Sequence, residues 1–263
     1  MSSPTVIVTG ASSGIGRALG LAWAKRGADV VLSGRNRAEL EDVAESVRSR
    51  GGRALACPGD VTIEADRVAL IGAARSWTGR LDVLVNCAGR GYYGSVAQID
   101  PRELQDLLAL NVVAPLRLAQ LAIDPLTRTS GCIVMLSSVA GVVASPRMGA
   151  YAASKFALEA LSMALRAELG AAGVRVLVVR PGPVDTPFRG NAITTDGRAG
   201  VRPRAARVQT AEEVAEQTLA AVARGRAVVE TTAFVRLASA AARMTPGALR
   251  WVTAAMASQK GDR

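Results

Sequence analysis

Apolar residues in this chain fall in short unbroken runs, and each run is followed by a longer stretch with the three-to-four-residue repeat of a helix. Residues 6–9 are a β-branched run, followed by a glycine-rich turn and a periodic stretch over 14–26. The alternation then repeats, predicting strands over 29–33, 53–57, 81–85, 132–136 and 174–179 and helices over 36–50, 63–77, 101–123 and 151–171. Asn36 is placed to cap the second helix, and Pro115 marks an irregularity in the long fourth one. Strands that are apolar throughout are covered on both faces. The pattern therefore predicts one α/β domain over 1–263, a doubly wound parallel sheet with helices on both faces. After Pro181 the texture changes. Residues 182–207 are rich in Gly, Pro and Arg and read as a mobile loop; a helix over 212–224 and a strand over 227–230 follow. An Ala-rich segment over 237–256 is broken at Pro246-Gly247, so 182–263 is expected to carry the substrate loop and the C-terminal tail.

Composition narrows the class. With 49% hydrophobic and 21% charged residues, long-range disorder and collagen-like repeats are excluded. No unbroken apolar run reaches the roughly 18 residues of a membrane span, so no transmembrane segment is expected. Met1-Ser2-Ser3-Pro4 leads straight into the first strand without a secretory pattern, and a cytoplasmic protein is the expectation. The net charge is +10, carried by 29 Arg and only three Lys. That skew, beside abundant Ala and Gly, reads as compositional, and with 3% aromatics no nucleic-acid partner is expected. The chain has no His, and Cys57, Cys87 and Cys132 lack CxxC spacing. This removes His-based mechanisms and metal sites, and the cysteines read as small buried hydrophobes.

Thr9-Gly10-Ala11-Ser12-Ser13-Gly14-Ile15-Gly16 lies between the first strand and the first helix. There Gly10 permits a tight turn, Gly14 lets backbone approach a pyrophosphate, and Gly16 lets the helix pack closely on the sheet. The helix N-terminus supplies free N–H groups and a positive dipole end. The spacing is GxxxGxG rather than GxGxxG; the strand–turn–helix context makes it a Rossmann-like dinucleotide turn. The second strand ends in Ser33-Gly34-Arg35-Asn36-Arg37, with no carboxylate before Glu39. A carboxylate here would accept from an NAD ribose, whereas a cation suits the 2′-phosphate of NADP. Arg35 is the best-placed cation, ahead of Arg37 and Arg17, so NADP (as NADPH) is expected over NAD.

Tyr151 and Lys155 stand at i and i+4 where the long sixth-strand-side helix opens, sharing one face. A free phenol titrates near 10, and a fixed ammonium beside it favours the phenolate. Ser138 follows the fifth strand, at the carboxyl end of the sheet where such folds place their ligands. Together these motifs resemble the short-chain dehydrogenase/reductase family over nearly all of 6–186. TGASSGIG resembles the family's TGxxxGxG. Asp60-Val61 resembles its adenine-contacting Asp, and Asn86-Cys87-Ala88-Gly89 its NNAG, with Cys87 replacing the second Asn. Asn111 resembles the Asn of its catalytic tetrad. Ser138 precedes Tyr151 by the family's 13 residues, and Pro181-Gly182-Pro183-Val184-Asp185-Thr186 resembles its PGxVxT segment.

The resemblance implies roles. Tyr151 is the general acid in reduction and the base in oxidation. Lys155 lowers its pKa and binds the nicotinamide ribose. Ser138 orients the carbonyl, and Asn111 supports a water linking Lys155 to solvent. Gly10, Ser12, Ser13, Gly14, Ile15, Gly16, Arg35, Asp60, Val61, Asn86, Ala88 and Gly89 hold the cofactor, with Pro181, Gly182, Val184 and Thr186 at its carboxamide end. A small carbonyl or alcohol substrate and a homodimer or homotetramer through the helices over 101–123 and 151–171 are also implied. The ending Val229–Arg236 lacks the TGQxxxVDGG of carrier-bound acyl reductases and favours a lipophilic ketone or alcohol; a 3-oxoacyl thioester and a non-catalytic dinucleotide sensor remain alternatives. Leu237, Met244, Leu249, Trp251 and Met256 either roof an apolar pocket, rest on a lipid surface, or pack on the domain's own core, the last being favoured.

Overall fold

The computed structural model describes residues 3–195 and 208–244. Strands β1 (Thr5–Thr9), β2 (Asp29–Gly34), β3 (Arg53–Pro58) and β4 (Val83–Asn86) come first, linked by helices α1 (Gly14–Lys25), α2 (Arg37–Arg48) and α3 (Glu64–Thr78). A two-residue strand β5 (Tyr92–Tyr93) and helices α4 (Pro101–Leu108) and α5 (Ala114–Thr129) follow. Then come β6 (Cys132–Leu136), α6 (Gly149–Leu169), β7 (Arg175–Arg180), the short β8 (Ile193–Thr194), α7 (Ala211–Ala223), β9 (Val228–Glu230) and α8 (Ala233–Met244). The main sheet is wholly parallel, in the order β3-β2-β1-β4-β6-β7-β9. The doubly wound sheet is thus as expected.

Alternate strand residues serve opposite cores. Val6 and Val8 pack with Leu19, Leu40 and Val214 on the α1–α2–α7 face. Ile7 packs with Leu84, Leu118, Leu126 and Leu158 on the α3–α5–α6 face. Because both faces are covered, the strands read as continuous apolar runs rather than alternating ones. The chain winds outward from β1 to β3, returns to β4 beside β1, and winds the other way; ligands in such sheets bind at that reversal.

Three expectations need amendment. The single helix over 101–123 is two helices joined by a π turn at Ala109–Val113. Pro115 has no N–H to return to the Asn111 carbonyl four residues earlier, so the regular ladder fails just there. The helical stretch Pro101–Thr129 is long and apolar enough, by length and composition, to cross a membrane. Its Leu118, Ala122 and Leu126 lie wholly in the core against the sheet, which makes it a core helix. The segment after Pro181 is not loop throughout: Pro187–Arg189 forms a 3-10 turn and β8 pairs in parallel with β5. Gly94 makes this possible, since a Cβ there would sit 2.4 Å from Thr195 Oγ1. Residues 196–207 lie outside the described residues. In the tail, Leu237 is 72% exposed and does not pack on the domain core; Pro246, Gly247, Leu249, Trp251 and Met256 lie outside the described residues, as does the side chain of Met244.

Candidate active site

The site is built from strand ends. Gly10 (φ +66°) and Gly14 (φ +50°) carry the turn after β1 through the left-handed region. A Cβ on Gly10 would lie 2.9 Å from the Ala88 Cα, so the β1 and β4 ends can close up only with glycine there. Thr9 clamps the same junction: its hydroxyl donates to the Val85 carbonyl and accepts from the Cys87 and Ala88 amides. Gly16 faces its own turn, with a Cβ falling 2.1 Å from the Gly10 carbonyl oxygen. The helix–sheet contact expected of Gly16 belongs instead to Gly20, whose Cβ would strike Leu32 at 2.6 Å. Ser13 begins α1 without a side-chain cap, and no acidic residue stands in the first turn. The first-turn amides and dipole of α1 are thus left for an anion, and a Cβ on Gly14 would meet Thr186 at 3.1 Å, bringing the 181–186 segment onto the turn.

At the β2–β3 side, Arg35 is exposed and Ser12 lies beside Gly34. Asp60 accepts from the Thr62 amide and hydroxyl at 2.8 and 2.7 Å. Burial alone would push its carboxyl up; the Thr62 bonds and the fields of Arg35 and Arg67 win and hold it below the ordinary carboxylate value. Val61 packs behind it in the core.

At the β4–β6 side the polar groups are buried. Asn86 Nδ2 donates to the Pro115 carbonyl at 3.3 Å, while its Oδ1 is buried without a hydrogen-bond partner. Asn111, in the π turn, accepts from the Arg90 amide and donates to the Arg90 carbonyl and to Ser154, so its side chain fixes the loop that carries Gly89. Ser138 accepts from the Ala140 amide at 3.1 Å and stands near enough to the Tyr151 hydroxyl to favour its ionised form. The Val139 amide donates to the Pro181 carbonyl, placing the Pro181–Thr186 segment beside Ser138. Gly182 packs against Thr232 and Val235, and Val184 bridges to Gln209.

Burial governs the two titrating groups. It pushes the Tyr151 phenol above its ordinary value, against the pull of Ser138 and with help from Tyr93 and Cys87. It lowers Lys155 to about 8, with Cys87 and Glu159 opposing. The acidification of Tyr151 by Lys155 does not dominate: the ammonium lies 5.8 Å from the ring centre and donates at 2.7 Å to the Leu136 carbonyl. The neutral phenol is therefore ready to give a proton. Cys87 is pushed up to about 12 by burial and stays a thiol. Phe188 stands over Tyr151, ring centres 5.8 Å apart, and Arg189 lies 6.0 Å from the Tyr93 ring centre. Tyr93, Phe188, Glu159 and Arg180 were not singled out in the sequence, and Thr9 only as the first letter of its motif; of the four, only Glu159, four residues after Lys155, had a spacing signal.

The expected residues thus lie along the carboxyl ends of the parallel strands, in two groups. The turn, Asn111, Ser138, Tyr151, Lys155 and Thr186 gather near β1, β4 and β6, while Arg35, Asp60 and Val61 stand off at β2 and β3. The span from β2 to β6 covers three strand spacings, about 14 Å. Glycines where a Cβ would clash, an uncapped helix N-terminus and a buried unpartnered amide oxygen fit an extended dinucleotide.

A parallel sheet with this glycine turn and these strand-end groups defines a dinucleotide-dependent oxidoreductase class. The profile of the family described as short chain dehydrogenase matches residues 4–197. Glycine betaine reductase ATRR of Emericella nidulans is 36% identical over 226 residues, covering 84% of this chain and 18% of that protein. The ketoacyl reductase HetN of Nostoc sp. is 34% identical over 223 residues, covering 84% of this chain and 76% of that one. A short-chain dehydrogenase from Sphingobium yanoikuyae, solved in complex with NADPH, superposes with a TM-score of 0.76 at 29% identity, covering 97% and 94% of the two chains. The chain belongs to the short-chain dehydrogenase/reductase family, whose cofactor is a nicotinamide dinucleotide.

Proposed function

We propose that this protein interconverts a carbonyl and an alcohol with NADP(H), on a lipophilic ketone or alcohol. The observation that carries the chemistry is the buried Tyr151 hydroxyl, its titration pulled down by the neighbouring Ser138 and its helix face shared with the buried Lys155. When bound, the dinucleotide supplies the hydride to the carbonyl carbon in reduction and takes it back in oxidation. Tyr151 gives its hydroxyl proton to the carbonyl oxygen as the alcohol forms, and in oxidation recovers it. Ser138 holds that oxygen beside the phenol, and the Lys155 ammonium favours the phenolate left behind. Thr186, Pro181, Gly182 and Val184 hold the carboxamide end. Asn111 keeps Gly89 and Lys155 in register and is the residue to support a water linking Lys155 to solvent.

NADP preference is supported by the exposed Arg35 and the absence of a carboxylate at the end of β2. The lipophilic substrate is supported by the apolar cluster around Tyr151, with Tyr92, Met148, Phe188 and Ile193. A 3-oxoacyl thioester is the second reading, favoured by Arg90 and Arg189 on the segments facing the site and by the likeness to HetN. A dimer or tetramer is supported by an exposed apolar stripe on α6, with Phe156 and Met163 at 44% and 59% exposure. Three free cysteines accord with a reducing, cytoplasmic setting. The test is cofactor consumption, NADPH against NADH, across ketones, aldehydes and 3-oxoacyl thioesters. Tyr151→Phe is expected to bind NADPH normally and lose at least about two orders of magnitude in kcat; retained turnover overturns the assignment.

A further inference from the structure

We propose that Arg180 is a positioning residue: its guanidinium holds Glu159 away from Lys155, so that the lysine ammonium is kept for the site instead of pairing along its own helix. The inference rests on the Tyr151–Lys155 reading above.

Lys155 and Glu159 are four residues apart on α6, the spacing at which opposite charges on a helix meet. Both are buried, where a carboxylate and an ammonium attract far more strongly than at a surface. Yet Lys155 Nζ turns to the Leu136 carbonyl at 2.7 Å. Both Glu159 oxygens are taken instead by Arg180, whose Nε and Nη2 each donate at 2.8 Å. The remaining arm, Nη1, donates to Glu230 at 2.9 Å. A bidentate fork of this geometry is the strongest competitor a helix-neighbour lysine can face.

Placement adds to the argument. Arg180 ends β7, immediately before the segment that reaches Thr186, and Glu230 ends β9. The 139–141 turn closes over Glu159: a Cβ on Gly141 would meet Glu159 Cγ at 3.0 Å and Ser137 Oγ at 2.6 Å. Glu159 therefore has little room to turn aside if the fork is lost. The groups facing Lys155 are Tyr151 and Glu159 on α6 and Cys87 beyond β4. Arg166, two turns further along α6, also feels Glu159, but its Nε and Nη2 donate to the Val176 and Ala227 carbonyls. Without Arg180, the ammonium one turn away is left to take the carboxylate.

The chain has three lysines, so protein labelled with ¹⁵N at lysine Nζ gives three side-chain titrations, and Lys155→Met identifies the one that matters. Arg180→Met is expected to raise the Lys155 pKa by about one unit or more and cut kcat about tenfold, with little change in KM for NADPH. Arg180→Lys keeps a cation but not the fork, and is expected to move both in the same direction by less; it serves if Arg180→Met fails to fold. Glu159→Gln is expected to lower the Lys155 pKa, and Arg180→Met combined with Glu159→Gln to return titration and kcat toward the parent. Lys155 titrating alike in parent and Arg180 variants, or moving the same way in Glu159→Gln, overturns the inference. Turnover retained in Tyr151→Phe would overturn the catalytic reading alone, since the lysine titration is measured without turnover.

Discussion

The two ends of the site are built in opposite ways. Around Tyr151 the polar groups are buried and held: Asn111 by Arg90 and Ser154, Lys155 by Leu136, Glu159 by Arg180. Around Arg35 the deciding side chain is exposed, and Asp60 spends its carboxylate on the Thr62 turn. Where water is excluded, charges shift one another's titration and a misplaced group is costly. Where water enters, charges are screened and select a ligand without much affecting the fold. On the proposed function, one end would set rate and the other preference. The glycine turn joins them.

The harshest test of this division strikes the join. Gly16→Ala puts a methyl 2.1 Å from a backbone oxygen that no rotamer change can move. The turn has to open, at a cost of about 1–3 kcal/mol or more. Thermal unfolding should fall by several degrees and NADPH affinity should drop at both ends together. Gly27→Ala, at a glycine with nothing within 4 Å but with φ +81°, should lower stability and leave cofactor affinity alone. If Gly16→Ala binds NADPH as the parent does, the turn is not the cofactor's cradle.

The buried end makes a pH prediction. In the proposed reaction, reduction needs the proton on Tyr151 and the charge on Lys155. Burial raises the first, so the phenol stays protonated through the working range. Burial lowers the second to about 8, so the ammonium is present below that pH and is lost above it. The kcat for reduction should accordingly fall as pH rises through about 8, approaching tenfold per unit. A limb appearing only near 10.5, the ordinary lysine value, would mean that burial does not govern Lys155.

The same contrast explains what the sequence made legible. Continuous apolar strands and periodic helices announced the parallel sheet, because burial on both faces leaves no polar position to confuse the pattern. Tyr151, Lys155, Ser138 and the Gly10–Gly16 turn were legible because their chemistry needs particular residues at fixed spacings. Arg180 was not, because nothing in a chain with 29 arginines marks the one whose fork closes on a buried glutamate. The β5–β8 pairing was equally hidden: two-residue strands have no period, and the partners are about a hundred positions apart. The π turn at Ala109–Val113 was half visible, since Pro115 signalled a break but not its type.

The exposed end gives the gentlest and most selective test. Gly34 lies where a Cβ would stand 3.6 Å from Leu40 and 3.7 Å from Ser12 Oγ, ordinary contact distances, so a larger residue enters without disturbing the turn. Gly34→Asp puts a carboxylate where the 2′-phosphate of NADP would approach, repelling it and offering an acceptor to the ribose of NAD. Arg35→Ala removes the attracting cation from a solvated position, where a charge-assisted contact contributes about 1 kcal/mol, or several-fold in affinity. Each should leave the melting temperature within a degree or two. Arg35→Ala should weaken NADPH several-fold without strengthening NADH, and combining it with Gly34→Asp should invert the ratio of kcat/KM. An unchanged ratio in Gly34→Asp would mean that this end does not choose the cofactor, and the preference would have to be sought at Arg17 or Arg37.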